Sequence, residues 1–340
     1  MDGCVFGGGE VRVVLLCLLL AGCGGKPGNP KVRLAFVGPG LNTNFLAIPL
    51  ARDLGYFEQE GLDVSVETLS SSTKAMQAML GGSADAACIG YSQAIQMAAE
   101  GQRVRTIYIS SNRTNSVLVL PPGASGRIGR VEDLKGKMVG IPAPGSPTYT
   151  WVNNYLAKHG VQAGDYQTVT IGGGAGAIAA LENGRIDAAC MNGGDHLRYL
   201  ARNPGGRVLV DGSSTEAMAA VLGGGAYAGA AIGVRQDWLD RNPEAAGRLA
   251  RAVRRAHLWM RSHSAEEILE RLPAELRSAD AVVDVAVLRW ALLGYTGDGG
   301  MPAGAPEAMQ PFLGTTSEKI RDTKIDLAAT WTDAYLAVGK

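Results

Sequence analysis

Apolar positions along this chain follow two periods. At Ala75, Met76, Ala78, Met79 and Leu80, and again at Ala177, Ile178, Ala180 and Leu181, they recur at helical spacing. Both helical stretches stop at a glycine, Gly82 and Gly184, where positive φ costs the residue nothing. Both are followed by Asp-Ala-Ala-Cys, at Asp85 and Asp187, short and apolar enough to be a buried strand. Upstream, Val32 to Val37 reads as an opening strand and Pro39 to Asn44 as a turn. Ile48 to Leu54 reads as a helix, and Leu62-Asp63-Val64-Ser65-Val66 alternates as a second strand.

The two helix–glycine–strand units lie a constant 102 residues apart, Asp85 matching Asp187 and Cys88 matching Cys190. Each is half of a parallel α/β unit. Two copies about a domain's length apart predict two similar α/β lobes, and two lobes enclose a cleft.

The N-terminus has a different character. Val11 to Leu20 is apolar except for Arg12 and runs into Leu20-Ala21-Gly22-Cys23. The run is too short to span a bilayer, and it ends in small residues, as a processing site requires. Leu-Ala-Gly-Cys resembles the bacterial lipobox, which implies cleavage before Cys23 and lipidation of its thiol. Residues 1–10 carry Asp2 and Glu10 with no Lys or Arg, against the basic start of a signal peptide, so a later start near Val11 fits better. Gly24 to Pro30 reads as a tether. Of the five cysteines, Cys4 and Cys17 leave with the signal and Cys23 becomes the anchor. Cys88 and Cys190 remain, expected as buried free thiols in separate lobes.

The chain holds 32 Lys and Arg against 32 Asp and Glu, so it offers no field for nucleic acid, and 46% apolar residues suffice for substantial cores. Arg251, Arg254, Arg255 and Arg261 cluster on one predicted helix flanked by Glu244, Glu266, Glu267 and Glu270, which reads as a solvated face. His159, His196, His257 and His263 lack metal-ligand spacing. No H-E-x-x-H, G-x-S-x-G or phosphate-loop lysine occurs, so neither metal, cofactor nor catalysis is expected. Asp195-His196 is the one suggestive pair; the expectation is that His196 caps the following helix.

Asp53-Leu54-Gly55-Tyr56-Phe57-Glu58-Gln59-Glu60-Gly61-Leu62-Asp63-Val64 resembles the stretch after the first helix in the substrate-binding proteins of ABC importers for nitrate, sulfonates, taurine and thiamine precursors. Val131 to Gly140, Gly184 to Ala188, and Gly299 to Pro302 with Ile325 to Leu327 are similar to later stretches of that family, in the same order. The resemblance implies an α/β, two-lobed periplasmic-binding-protein-like fold (type II) with the ligand cleft between the lobes. It divides the chain into a signal peptide (1–22), a tether (23–30), a discontinuous lobe 1 (31–112 plus 230–340) and lobe 2 (113–229). The implied partners are a small-molecule ligand, an ABC permease and ATPase, and the membrane through the lipid on Cys23, with the protein working as a monomer. A same-fold metabolite enzyme and a sensor remain alternatives, although export counts against a cytoplasmic biosynthetic role.

In parallel α/β sheets the crevice lies beyond the carboxyl ends of the strands. Lobe 1 there offers Asn42 and Asn44, then Ser71, Ser72 and Thr73, then Tyr91 and Ser92. Lobe 2 offers Ser146 and Thr148, Gly173 in a glycine triplet, and Asn192. Ser71 to Thr73 and Ser146 to Thr148 sit at predicted helix starts, whose unpaired N–H groups favour an anion such as a sulfonate, nitrate or bicarbonate. No Lys or Arg falls in these loops, which keeps a neutral thiamine pyrimidine precursor open.

Overall fold

The glycine stops at Gly82 and Gly184 both take left-handed backbone, φ +80° and +64°. The wrap-around hydrogen bonds also match at 102 residues. Ser83 N–H reaches Ala78 O at 3.0 Å, and Arg185 N–H reaches Ala180 O at 3.3 Å. Each repeat aspartate then pins the neighbouring strand. Asp85 Oδ2 accepts the Arg33 N–H at 2.9 Å, and Asp187 Oδ2 accepts the Met138 N–H at 2.9 Å. The duplication read from the residues is therefore a duplication of local structure.

This computed structural model describes residues 1–4, 29–38, 41–295 and 297–336. The signal peptide's apolar run, the lipobox, Cys23 and the tether up to residue 28 lie outside the described residues.

The chain enters through β1 (Lys31–Val37), α1 (Ala47–Asp53), α2 (Tyr56–Gln59), β2 (Asp63–Leu69), α3 (Ser72–Leu80), β3 (Ala86–Gly90), α4 (Tyr91–Ala99) and β4 (Val104–Ile109). It crosses to β5 (Val117–Leu120), β6 (Met138–Ile141), α5 (Pro147–Lys158), β7 (Gln167–Thr170), α6 (Ala175–Glu182), β8 (Ala188–Met191), α7 (Asp195–Arg202), β9 (Arg207–Asp211) and α8 (Thr215–Leu222). It returns in β10 (Ala230–Arg235) and ends in α9 (Gln236–Arg241), α10 (Pro243–Arg261), α11 (Ala265–Arg271), α12 (Ala281–Leu292), α13 (Ala305–Gly314) and α14 (Glu318–Asp322).

The strands form two five-stranded sheets of one design, β2-β1-β3-β10-β4 and β7-β6-β8-β5-β9. In each, four strands run in one direction, and the strand that follows a crossing, β10 or β5, runs antiparallel to both its neighbours. The return to lobe 1 begins with a strand, Ala230–Arg235, which completes the first sheet before the helices begin. Cys88 and Cys190 are buried and free, at the centres of different sheets.

The arginines of α10 do not form a simple solvated face. Arg251 and Arg255 reach Glu60 at 3.0 and 3.6 Å, Arg255 also lies over the Tyr56 ring, and Arg254 reaches Asp298 at 3.3 Å. They tie α10 to α2 and to the loop before α13. The flanking glutamates that suggested mutual solvation are not their partners, apart from the Arg248–Glu244 pair on the same helix.

Candidate functional site: the cleft between the sheets

The carboxyl ends of β1, β2 and β3 face those of β6, β7 and β8 across a cavity of about 230 Å³. All six strand-end loops contribute to its wall, and so do both crossings, through Ser111 and Arg113 to Ser116 and through Tyr227, Gly229 and Ala230.

Two helix starts point their leftover N–H groups at this space. Ser71 caps α3 by accepting the Lys74 N–H at 3.2 Å, and Ser146 caps α5 by accepting the Tyr149 N–H at 3.3 Å. α3 begins at Ser72, so the Ser72 N–H belongs to its first turn. In α5 Pro147 supplies no N–H, which leaves that of Thr148 foremost. Asn192 donates to the Thr148 hydroxyl at 2.8 Å, joining two walls of the second lobe.

Of the residues nominated from sequence, Asn42, Asn44, Ser71, Ser72, Ser146, Thr148, Gly173 and Asn192 line the cavity. The Asn42 amide is occupied by its own turn, donating to Val37 O at 3.0 Å and accepting from the Asn44 N–H at 3.1 Å. Asn44 Oδ1 accepts from the Asn115 side chain at 2.7 Å. Three nominated residues stand elsewhere. Tyr91 opens α4 but turns inward, fully buried, with its hydroxyl 2.7 Å from that of Thr330. Ser92 is buried beside it. Thr73 faces the rim, where its hydroxyl donates to Pro144 O of the opposite lobe at 3.1 Å.

Sequence reasoning placed the crossings at the lobe bounds near residues 112 and 229 but nominated no cavity residue from them. Asn115 is buried on the wall with its Oδ1 unpartnered among the described residues. Tyr227 is buried there too, its hydroxyl pushed up to about 12 by burial. Arg113 supplies the cation that the loops lack. Its guanidinium lies 5.2 Å over the Trp290 ring and donates to Trp290 O, burial lowers its pKa, and its Nε has no partner among the described residues. No strand-end rule points to these residues, because they lie on the crossings and not on loops beyond the parallel strands.

His196 does not cap α7. Gly194, at φ +89°, holds the N-cap position without a side-chain bond, and His196 packs edge-on to Trp290 at 4.7 Å. Burial depresses the His196 pKa to about 4. Asp195 lines the cavity. Its Oδ2 accepts the Gly174 N–H at 2.8 Å and its Oδ1 accepts from Arg198 at 3.1 Å, while burial raises its pKa. Among the described residues no group of three or more His, Cys, Asp or Glu is placed to hold a metal.

Two matched α/β lobes joined by two crossings, with the cavity at their facing strand ends, define a periplasmic-binding-protein-type solute-binding fold. The family model described as "NMT1/THI5 like" matches residues 42–267, and the chain belongs to that family. A protein of Bordetella bronchiseptica RB50 superposes with a TM-score of 0.83 at 29% identity, over 90% of this chain and 95% of that one. The periplasmic aliphatic sulphonate binding protein SsuA of Escherichia coli gives 0.66 at 18% identity, over 91% and 99%. YtlA of Bacillus subtilis (strain 168) is 23% identical over 286 residues, 82% of this chain and 81% of that protein.

Proposed function

We propose that this chain is an extracytoplasmic, lipid-anchored receptor that captures a small anion of the sulfonate or nitrate kind and delivers it to the permease and ATPase of an ABC importer. One observation carries the reading. Two serine-capped helix starts, α3 from one lobe and α5 from the other, converge on a single cavity of about 230 Å³ whose wall mixes amides, hydroxyls and backbone with apolar side chains such as Leu41, Phe45 and Ile89. Helix N-termini favour anions through their free N–H groups and the positive end of the helix dipole. Arg113 adds a cation at the crossing. The fold shared with an aliphatic sulphonate binding protein supports the same ligand class. Function then lies in closure around the ligand and recognition of the closed form by the permease, with no chemistry. The anchor is Cys23, and the receptor works as a monomer.

Asp195 favours a second reading. A buried carboxylate on the cavity wall suits a ligand with an N–H donor, such as an amino-pyrimidine precursor of thiamine.

Thermal unfolding against a panel of alkanesulfonates, taurine, nitrate, bicarbonate and thiamine pyrimidines separates the two. A ligand at 100 times its Kd adds about 2.7 kcal/mol of stability. A saturable rise with a sulfonate or nitrate supports the first reading, a rise with the pyrimidines alone replaces it with the second, and a flat response to all overturns both.

A further inference from the structure

Beside the cavity, α7 of the second lobe meets α12 of the first along a seam. Val287 of α12 lies against Gly194 closely enough that a β-carbon there would overlap it, and Trp290 packs on His196. Arg198 sits at the middle of this seam, its side chain 17% exposed. One nitrogen holds Asp195 at 3.1 Å. The other donates across the seam to Leu41 O at 3.2 Å and faces Asp284 Oδ1 at 3.6 Å.

The partners of Arg198 lead into the cleft from both sides. Asp195 holds the Gly174 N–H, and Gly172 to Gly174 form part of the second lobe's cavity wall; Leu41 lines the cavity from the first lobe. Asp284 is fully buried. Its Oδ2 accepts the Ser278 N–H at 2.6 Å, but its Oδ1 has no hydrogen bond among the described residues. A buried carboxylate oxygen without a hydrogen bond is costly, and charge-assisted bonds close to about 2.8 Å. At 3.6 Å the guanidinium is within reach of Asp284 but not bonded to it.

We propose that Arg198 is a positioning residue that couples the second lobe's cavity wall to closure. A ligand group accepting from the Gly172 and Gly173 N–H groups draws α7 toward the first lobe, and that movement brings Arg198 onto Asp284. The three-way fork needs a guanidinium, because an ammonium cannot hold Asp195, Leu41 O and Asp284 in one plane. The inference rests on the receptor reading, since closure matters only to a protein that closes on a ligand.

Small-angle X-ray scattering of the chain tests it, first without ligand. Arg198→Met/Asp284→Asn, which neutralises Asp284 and leaves Asp195 held by the Gly174 N–H, is expected to show a larger radius of gyration than the parent. Arg198→Lys is expected to fall between the two, and adding Asp284→Asn to Arg198→Met is expected to expand the chain no further. Ethanesulfonate is then titrated as the probe, and the Arg198 variants are expected to need about tenfold more of it for the same compaction, within the usual range of coupling between sites. A double variant that scatters like the parent without ligand overturns the proposal. If ethanesulfonate fails to compact even the parent, the sulfonate reading falls, while the ligand-free comparison still decides the role of Arg198.

Discussion

Gly90→Ala is expected to weaken ligand binding without weakening the fold. Gly90 ends β3 with φ −94° and ψ 148°, ordinary extended backbone that alanine adopts freely. The replacement therefore carries no backbone strain, and it removes some unfolded-state freedom, which favours folding. The added β-carbon would stand 2.5 Å from Cγ and 2.7 Å from Cβ of Pro147. Pro147 opens α5 in the other lobe, and its ring cannot swing aside. Relief to an ordinary contact of 3.4 Å requires the lobes to part by almost 1 Å at this point. Overpacking of this kind costs about 1–3 kcal/mol. Parting the lobes relieves this cost, so it falls only where the lobes meet, and the apparent Kd rises roughly 5- to 150-fold. Isothermal titration with whichever ligand the unfolding panel identifies measures this, and the melting temperature of the free chain provides the control. Gly90→Ala/Pro147→Gly, which removes the opposing ring, is expected to recover most of the affinity. Unchanged affinity in Gly90→Ala, or a lost melting temperature at full affinity, would refute the assignment of this contact to closure.

Acid is expected to destabilise the protein between about pH 6.5 and 4. Burial holds both His196 and His257 near pKa 4, with the cations Arg198 and Arg113 around the first and Arg261 and Arg254 around the second, against the acids Asp211 and Asp298. Because the folded values are depressed, the unfolded chain takes up protons first, so stability is whole above about pH 6.5 and is lost as pH falls toward 4. Each histidine contributes a slope of at most ~1.4 kcal/mol per pH unit, and urea melts at pH 7 and 5 should show it. A flat profile would contradict the burial of both rings. Asp195→Asn is expected to discriminate between ligand classes, strengthening or sparing binding of an anion but weakening that of an amino-pyrimidine at least tenfold, as calorimetry with one of each would register. Asp85→Ala and Asp187→Ala are each expected to cost about 1–2 kcal/mol in denaturant melts. Asp85 should cost more, because it also pairs with Arg33 at 2.7 Å, a pairing that outweighs burial and lowers its pKa. Equal losses would remove that distinction.

The scaffold was legible in the sequence because its determinants are local. A helix period, a glycine that takes positive φ and an aspartate that pins the next strand all fall within a dozen residues, twice. The strand-end loops were legible by the general rule for parallel sheets. The misreadings share one cause, which is that they depended on distant partners. Tyr91 stands at a strand end, yet its hydroxyl bonds to Thr330, which is 239 residues away, and that contact turns the ring into the core. Arg113 and Asn115 sit in a segment without helical or strand period. Their place on the cavity follows from the second sheet's position against the first. His196 resembled a cap because its neighbours are polar. Gly194 left the capping position without a side chain, and the ring went instead to Trp290, a residue of the returning chain.

The point at which the duplication ends locates the cleft independently. The copies share Asp-Ala-Ala-Cys through Cys88 and Cys190, and the next residues are still apolar, Ile89 and Met191. Divergence begins one position later, at Gly90 and Asn192, where each strand runs out and the chain meets the cavity. Up to that point both copies perform the same work, burying one strand and pinning another, so the same residues satisfy both lobes. Beyond it the lobes face one another and cannot be alike. Gly90 must leave room for Pro147, whereas Asn192 holds Thr148 and is followed by glycines that let α12 approach. Contacts that cross between the lobes, such as Thr73 to Pro144, Gln93 to Gly145 and Arg198 to Leu41, have no mirrored counterpart at the 102-residue offset among the described residues. Substitutions in the duplicated segment should therefore change the stability of a lobe, and substitutions past its end should change how the two lobes meet. This division makes Asp85 and Asp187 natural controls for Gly90 and Arg198. The first pair should lower the melting temperature at constant affinity, the second should alter affinity at nearly constant melting temperature, and an exchange of those phenotypes would show that scaffold and closure are not separable along this chain.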